Sequence, residues 1–155
     1  MRTRSDRSAN LTAVILLALA LWPLACSDSV VGGPRVDGAV VTFAFSGSTD
    51  TMRVHVRKAS TIEAARAYIQ TQTGPKFPIG TIVRGAGADP KYPFHYLPDE
   101  VSLAEVAMEL CDGRPMKTEA AVEQFFTGVT GRSNAPTATY CPWGAYPVAV
   151  RDSVR

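Results

Sequence analysis

Two neighbouring stretches alternate apolar and polar residues, and the alternation predicts their structure. Val41, Phe43 and Phe45 fall on one side of residues 40–45, and Met52, Val54 and Val56 alternate with Arg53, His55 and Arg57. Side chains of a strand point to opposite faces with period two, so each run predicts a strand with one buried face. Between them Ser46-Gly47-Ser48-Thr49-Asp50 supplies turn chemistry of hairpin length. A β-hairpin is expected.

Further on, the period becomes helical. Ser60-Thr61-Ile62-Glu63 has the form of a capping box, and Ile62, Ala65, Tyr68 and Ile69 share one face. A helix is expected from Ser60 to about Gln72, stopped by Gly74-Pro75. Residues 117–127 predict a second helix with Ala121, Val122, Phe125 and Phe126 inward. Short strands are expected at 79–84 and 93–97, a loop at 85–90, and an edge strand at 148–150. Residues 101–111 fit both periods. Val106, Met108 and Leu110 alternate as in a strand, while Leu103, Val106, Ala107 and Leu110 fit a helical face. The alternation running into Cys111 favours strand. The fold class is α+β: two helices on a small, mostly antiparallel sheet of about 4–6 strands.

The N-terminus reads differently. Arg2, Arg4 and Arg7, offset by Asp6, precede an apolar run over residues 11–24. That run is about 14 residues where a spanning helix needs about 20, which fits an export signal better than a permanent anchor. Leu24-Ala25-Cys26-Ser27 resembles a lipobox, with Ala25 as the small residue before the cut and Cys26 as the thiol that takes the lipid. Pro23 departs from the pattern, since lipoboxes carry leucine or another apolar residue there. Ordinary signal cleavage after Ala25-Cys26-Ser27, giving a secreted or periplasmic soluble protein, is the alternative. Ser27 carries no aspartate-type retention cue, which points to the outer membrane where the cell has one. Acyl chains at roughly 0.8 kcal/mol per buried CH₂ would hold a small domain. The expected organisation is a signal peptide over 1–25, a flexible tether over 26–38 marked by Gly32-Gly33-Pro34 and Asp37-Gly38, and one α+β domain over 39–155.

Without residues 1–25 the chain has 13 Lys and Arg against 13 Asp and Glu. Such a neutral domain has no basic face for nucleic acid, so no nucleic-acid partner is expected. With Cys26 assigned to processing, Cys111 and Cys141 remain as a pair. In an oxidising compartment they are expected to form a disulfide that closes a loop of about 30 residues, stabilising by roughly 3–4 kcal/mol. Neither cysteine has a histidine nearby, so no metal and no cofactor is expected.

Candidate chemistry is sparse. His55 sits between Arg53 and Arg57 on a polar strand face and reads as a surface residue. His95 lies between Phe94 and Tyr96, with Asp99 and Glu100 close behind, the beginning of an acid–base pair. A histidine satisfied by a local carbonyl in a sheet is the favoured alternative. No serine has a nucleophile-elbow context, and residues 85–89 lack the lysine and following helix of a phosphate loop. Trp143, with Tyr140 and Tyr146, either forms an exposed ligand platform or covers the disulfide and closes the core, the second being favoured.

The stretch from Phe94-His95-Tyr96-Leu97-Pro98 through Asp99-Glu100-Val101-Ser102, with Glu109-Leu110-Cys111-Asp112-Gly113 and Tyr140-Cys141-Pro142-Trp143, resembles a small family. It is named after the N-terminal domain of a eukaryotic protein, BP-seventy-four. Members carry a Phe-His-Leu-type strand, a proline-containing turn, a Glu-x-Cys-Asp element and a terminal Cys-Pro-Trp. The resemblance covers residues 41–150. Tyr96 and Leu97 shift the spacing after the histidine, and residues 135–139 approach the second cysteine atypically. The resemblance implies an α+β domain, supports the Cys111–Cys141 pairing, and brings no catalytic residues with it. The expected function is an exported, lipid-anchored binding module whose partner is an envelope or extracellular protein or ligand. A small hydrolase or lyase using His95 with Asp99 or Glu100 is one alternative, and a structural envelope component another.

Overall fold

The computed structural model describes residues 36–107 and 109–154, without the side chains of residues 36, 109 and 154. The expected export signal, Cys26 and the first part of the expected tether lie outside them. The predicted hairpin is present as β1 (Val36–Phe45) and β2 (Thr51–Val56), paired antiparallel with Val41 opposite Val54 and Phe43 opposite Met52. Its inward face is the predicted one: Val41, Phe43, Phe45, Met52, Val54 and Val56 are all buried. The strand starts earlier than the pattern indicates, so residues 36–38 belong to it and not to the tether. Gly38 makes this start workable. Its φ is +101°, and a β-carbon there would lie 2.3 Å from the Val56 carbonyl oxygen.

On the other side of β1 lies β7 (Ala145–Val154), the expected edge strand but far longer. Pairing shifts between Thr42 and Phe43, where Ala149 and Pro147 face them and Val148 is left over. This irregularity turns Pro147 inward and leaves Val148 exposed. The first sheet thus has the order β2-β1-β7.

A second sheet is built on β3 (Phe77–Arg84), which pairs antiparallel with β4 (Phe94–Tyr96), β5 (Ser102–Ala104) and β6 (Ala138–Tyr140). The fold is therefore α+β and antiparallel, with its strands divided between two sheets of three and four. Helix α1 (Ala59–Thr71) packs on β7 and β1 through Ile62, Ala65 and Tyr68. Helix α2 (Glu119–Thr130) buries Val122 and Phe126 and lies beside β6.

Three expectations need correction. No capping box forms, because Lys58 is the N-cap of α1 and makes no side-chain cap bond. The Thr61 hydroxyl instead donates to the Val101 carbonyl at 2.9 Å, inside the core. Helix α2 starts later and runs further than 117–127, since Thr118 caps it by accepting from the Ala121 N–H and Gly131 ends it in a left-handed conformation. Residues 101–111 are strand only at Ser102–Ala104. A short 3₁₀ turn at Glu109–Cys111 brings the cysteine to its partner. Val106 and Leu110 are 86% and 75% exposed, so neither periodicity read there reports a buried face.

Cys111 and Cys141 form the disulfide, with Cα atoms 5.2 Å apart, inside the usual range for such a bridge. The Cys141 N–H also donates to the Cys111 carbonyl at 2.7 Å.

Candidate functional site

β2 and β4 are each an outer strand of their sheet, and they lie side by side. Main chain ties them at one end, where the Arg57 N–H donates to the Pro98 carbonyl at 3.0 Å. Side chains tie them at the other. There Asp89 Oδ2 accepts from the Arg53 N–H at 3.1 Å, and the Tyr92 hydroxyl donates to the Thr51 carbonyl at 3.2 Å. Residue numbers rise in the same sense along both segments, so they run parallel. Between the ties opens a cleft of about 520 Å³. Met52, Val54, Tyr92, Phe94 and Tyr96 supply its apolar wall, and Arg53, His55 and His95 its polar rim.

Asp89 is the unusual residue here, an acid only 5% exposed. Its carboxylate accepts from the main-chain N–H groups of Arg53 and Lys91 and lies 3.6 Å from the Arg53 guanidinium. Buried charge is tolerated when paired and hydrogen-bonded, and all those partners are present. Burial, reinforced by the charges of Asp50 and Asp89, pushes the Tyr92 hydroxyl up to about 12.

Both histidines reach this cleft. His95 Nδ1 lies 2.7 Å from the Gly85 carbonyl oxygen. A carbonyl only accepts, so Nδ1 carries a proton and donates it. His55 Nε2 donates to the Asp37 carbonyl at 3.0 Å. Gly87 lies so close to His95 that a β-carbon there would be 2.4 Å from the His95 Cβ. Glycine is what lets the loop close over the ring.

The predicted carboxylate partners lie elsewhere. Asp99 accepts from Arg57 Nη1 at 3.2 Å, and the Glu100 N–H caps the turn at the Leu97 carbonyl. Among the described residues, no carboxylate is hydrogen-bonded to either imidazole. His95 thus has the carbonyl-satisfied arrangement expected of a sheet histidine, while its ring lines a cleft.

Tyr140, Trp143 and Tyr146 do not form one platform. Tyr140 is fully buried, with ring centroids of Phe94, Tyr96 and Phe125 at 5.3, 5.9 and 5.2 Å. Its hydroxyl is shared between the carbonyls of Gly113 and Arg114, each at 3.2 Å. Burial raises the Tyr140 and Tyr96 hydroxyls far above the ordinary tyrosine value. Trp143 is half-buried against the core, anchored by its main-chain N–H on Asp112. Tyr146 is half-buried in β7, opposite Ala44. Tyr140 is in the core and Trp143 packs against it.

Sequence reasoning missed Asp89 and Tyr92, the residues that close one end of the cleft. A signal was present in Asp89-Pro90-Lys91, since an aspartate bonding the N–H two residues on is a turn motif. Among the described residues, no three His, Cys, Asp or Glu side chains gather as a metal site requires, and no helix is long and apolar enough to cross a membrane.

No curated protein and no solved structure matches the chain. One family does, the BP-seventy-four N-terminal domain, over residues 38–152, which takes in both helices, the disulfide, all but the outer ends of β1 and β7, and most of the cleft lining. The chain belongs to the BP-seventy-four N-terminal domain family.

Proposed function

We propose that this domain is a binding module, exported and held at the cell envelope by lipid on Cys26, that takes its ligand in the cleft between β2 and β4. The observation that carries the reading is the make-up of the cleft. Apolar and aromatic residues, each only 2–3% exposed, form its floor, and a few polar groups converge at its rim. The wall is stiff, because Phe94 and Tyr96 stack into the Tyr140 cluster and Asp89 locks the loop that carries Tyr92. Recognition needs such preorganisation.

The mature domain, immobilised and exposed to envelope extract, tests this when compared with a variant whose cleft is filled by Ala88→Trp. Ala88 lines the cleft and belongs to no helix or strand. A component enriched by the parent and lost from the filled variant is expected. Equal recovery by both would move the binding site elsewhere, and recovery of nothing would remove the reading.

A further inference from the structure

We infer that this domain associates with a second copy of itself, the exposed apolar loop at residues 105–110 of one copy docking on the open face of sheet β2-β1-β7 of the other.

Among the described residues, the large apolar side chains left exposed are Val106, Leu110 and Val148. They fall on two surfaces. Val106 and Leu110 belong to the loop that follows β5. Val148 belongs to β7, where the pairing shift leaves it over and 41% exposed, while its neighbour Pro147 and the facing Phe43 are buried. Such irregularities re-aim a side chain and are built features of a sheet. The face that Val148 joins is unusual. The wet side of an antiparallel sheet is ordinarily polar. Here Val40, Thr42 and Ala44 lie opposite Arg151, Ala149 and Tyr146, so apolar and small side chains dominate it.

One chain cannot close this contact on itself. Helix α1 covers the inward side of the sheet, where Arg66 pairs with Asp152 opposite buried Ala39. The loop leaves β5 on that same side. Thr61 of the helix donates to the Val101 carbonyl, and Lys58 at its N-cap donates to Ser102 Oγ at 3.3 Å. The sheet therefore stands between the loop and the open face, and only another molecule can bring the two together.

Charge selects which surfaces meet. Residues 99–112 include Asp99, Glu100, Glu105, Glu109 and Asp112 and no lysine or arginine. Glu105 is exposed beside Val106 and has no ion pair among the described residues. On the open face Arg53 is balanced by Asp89, while Arg151 is exposed and likewise has no ion pair among the described residues. Face against face would bring cations together, and loop against loop would bring acids together. Loop on face pairs an acid with a cation around an apolar centre, which is complementary in both respects. The contact is small, so the association is weak and rises with concentration. Lipid on Cys26, as proposed above, would hold copies in one plane, where a weak contact suffices.

Sedimentation of the mature domain from about 10 μM to about 1 mM tests this, with Cys26→Ser so that no free thiol links two chains. The average mass is expected to rise over that range, and a monomer throughout overturns the inference. Val106→Asp with Leu110→Asp disables the loop, and Val148→Asp with Arg151→Glu disables the face. Each pair should weaken association about tenfold or more. An equal mixture of the two variants should regain it, because the loop of one still meets the face of the other. Unchanged association in either variant, or a mixture that stays monomeric, overturns the inference. Circular dichroism checks that both variants fold. Should one fail, a charge swap decides. Glu105→Arg alone and Arg151→Glu alone should each weaken association about threefold or more, and one chain carrying both should restore it. No restoration overturns the inference. None of the substituted loop and face residues lines the cleft, so these results bear on self-association and not on the ligand site.

Discussion

Alkali should unfold this domain steeply, and three tyrosines set the slope. Tyr92, Tyr96 and Tyr140 are all nearly inaccessible, and burial holds their hydroxyls protonated well past the ordinary value. In the unfolded chain all three ionise near pH ~10. Below that pH both states hold these protons and the groups contribute no pH dependence. Above it the unfolded state binds fewer protons than the folded one, so stability falls as pH rises. Each group costs about 1.4 kcal/mol per pH unit, and three together about 4. The full slope should last until Tyr92 begins to ionise in the folded state at about 12. A domain with ~5–8 kcal/mol of stability would then unfold within about two pH units. Urea titrations at stepped pH, followed by circular dichroism and phenolate absorbance together, measure this slope. Tyr140→Phe should remove about a third of it. Three phenols titrating near pH ~10 with the sheet signal intact would refute the reasoning.

Replacing Cys111 and Cys141 together by alanine should cost about 3–4 kcal/mol, the chain-entropy value for a 30-residue loop, and an unchanged urea midpoint would contradict it. Arg84 spans Glu123 with Nε and Nη2, reaches the carbonyls of Ala135 and Ser133, and lies 4.1 Å over the Phe126 ring. Arg84→Lys keeps the charge and loses the planar fork, so unfolding measurements should show a loss of roughly 1–2 kcal/mol. Cys26→Ser should abolish fatty-acid labelling and release the protein from membranes; unchanged labelling would refute lipid attachment.

The local half of this fold could be read from the chain. β1 and β2 are neighbours in sequence, each has one wet face and one buried face, and their register follows from that alternation. Apart from the Cys111–Cys141 bridge, long-range contacts were not legible. β6 is three residues long and is a strand only because it pairs with β3, about 58 residues earlier. Thr61 looked like part of a cap because only its neighbours were visible, and the Val101 carbonyl that takes its hydroxyl is 40 residues away. Residues 101–111 misled for a related reason. Their exposed Val106 and Leu110 mimic a periodic apolar face, while the path is dictated by the bridge to Cys141.

The candidate site divides the same way. His95 stood out by residue type, and its carbonyl partner was the favoured expectation. The second wall of its cleft comes from β2, which sequence patterning treats only as a hairpin strand. His55 read as a surface residue because Arg53 and Arg57 flank it; its place on the cleft follows from how the two sheets meet. Buried Asp89 resembles any loop aspartate until its three partners are seen.

The central claim is that the gap between β2 and β4 is where this domain meets its ligand. Site-specific photocrosslinking in the producing cells tests it most directly, with the photoreactive residue at Ala88 inside the cleft or at Thr127 on the exposed face of α2. A discrete adduct from position 88, absent from position 127, is predicted. No adduct at 88, or the same adduct from both positions, would contradict it.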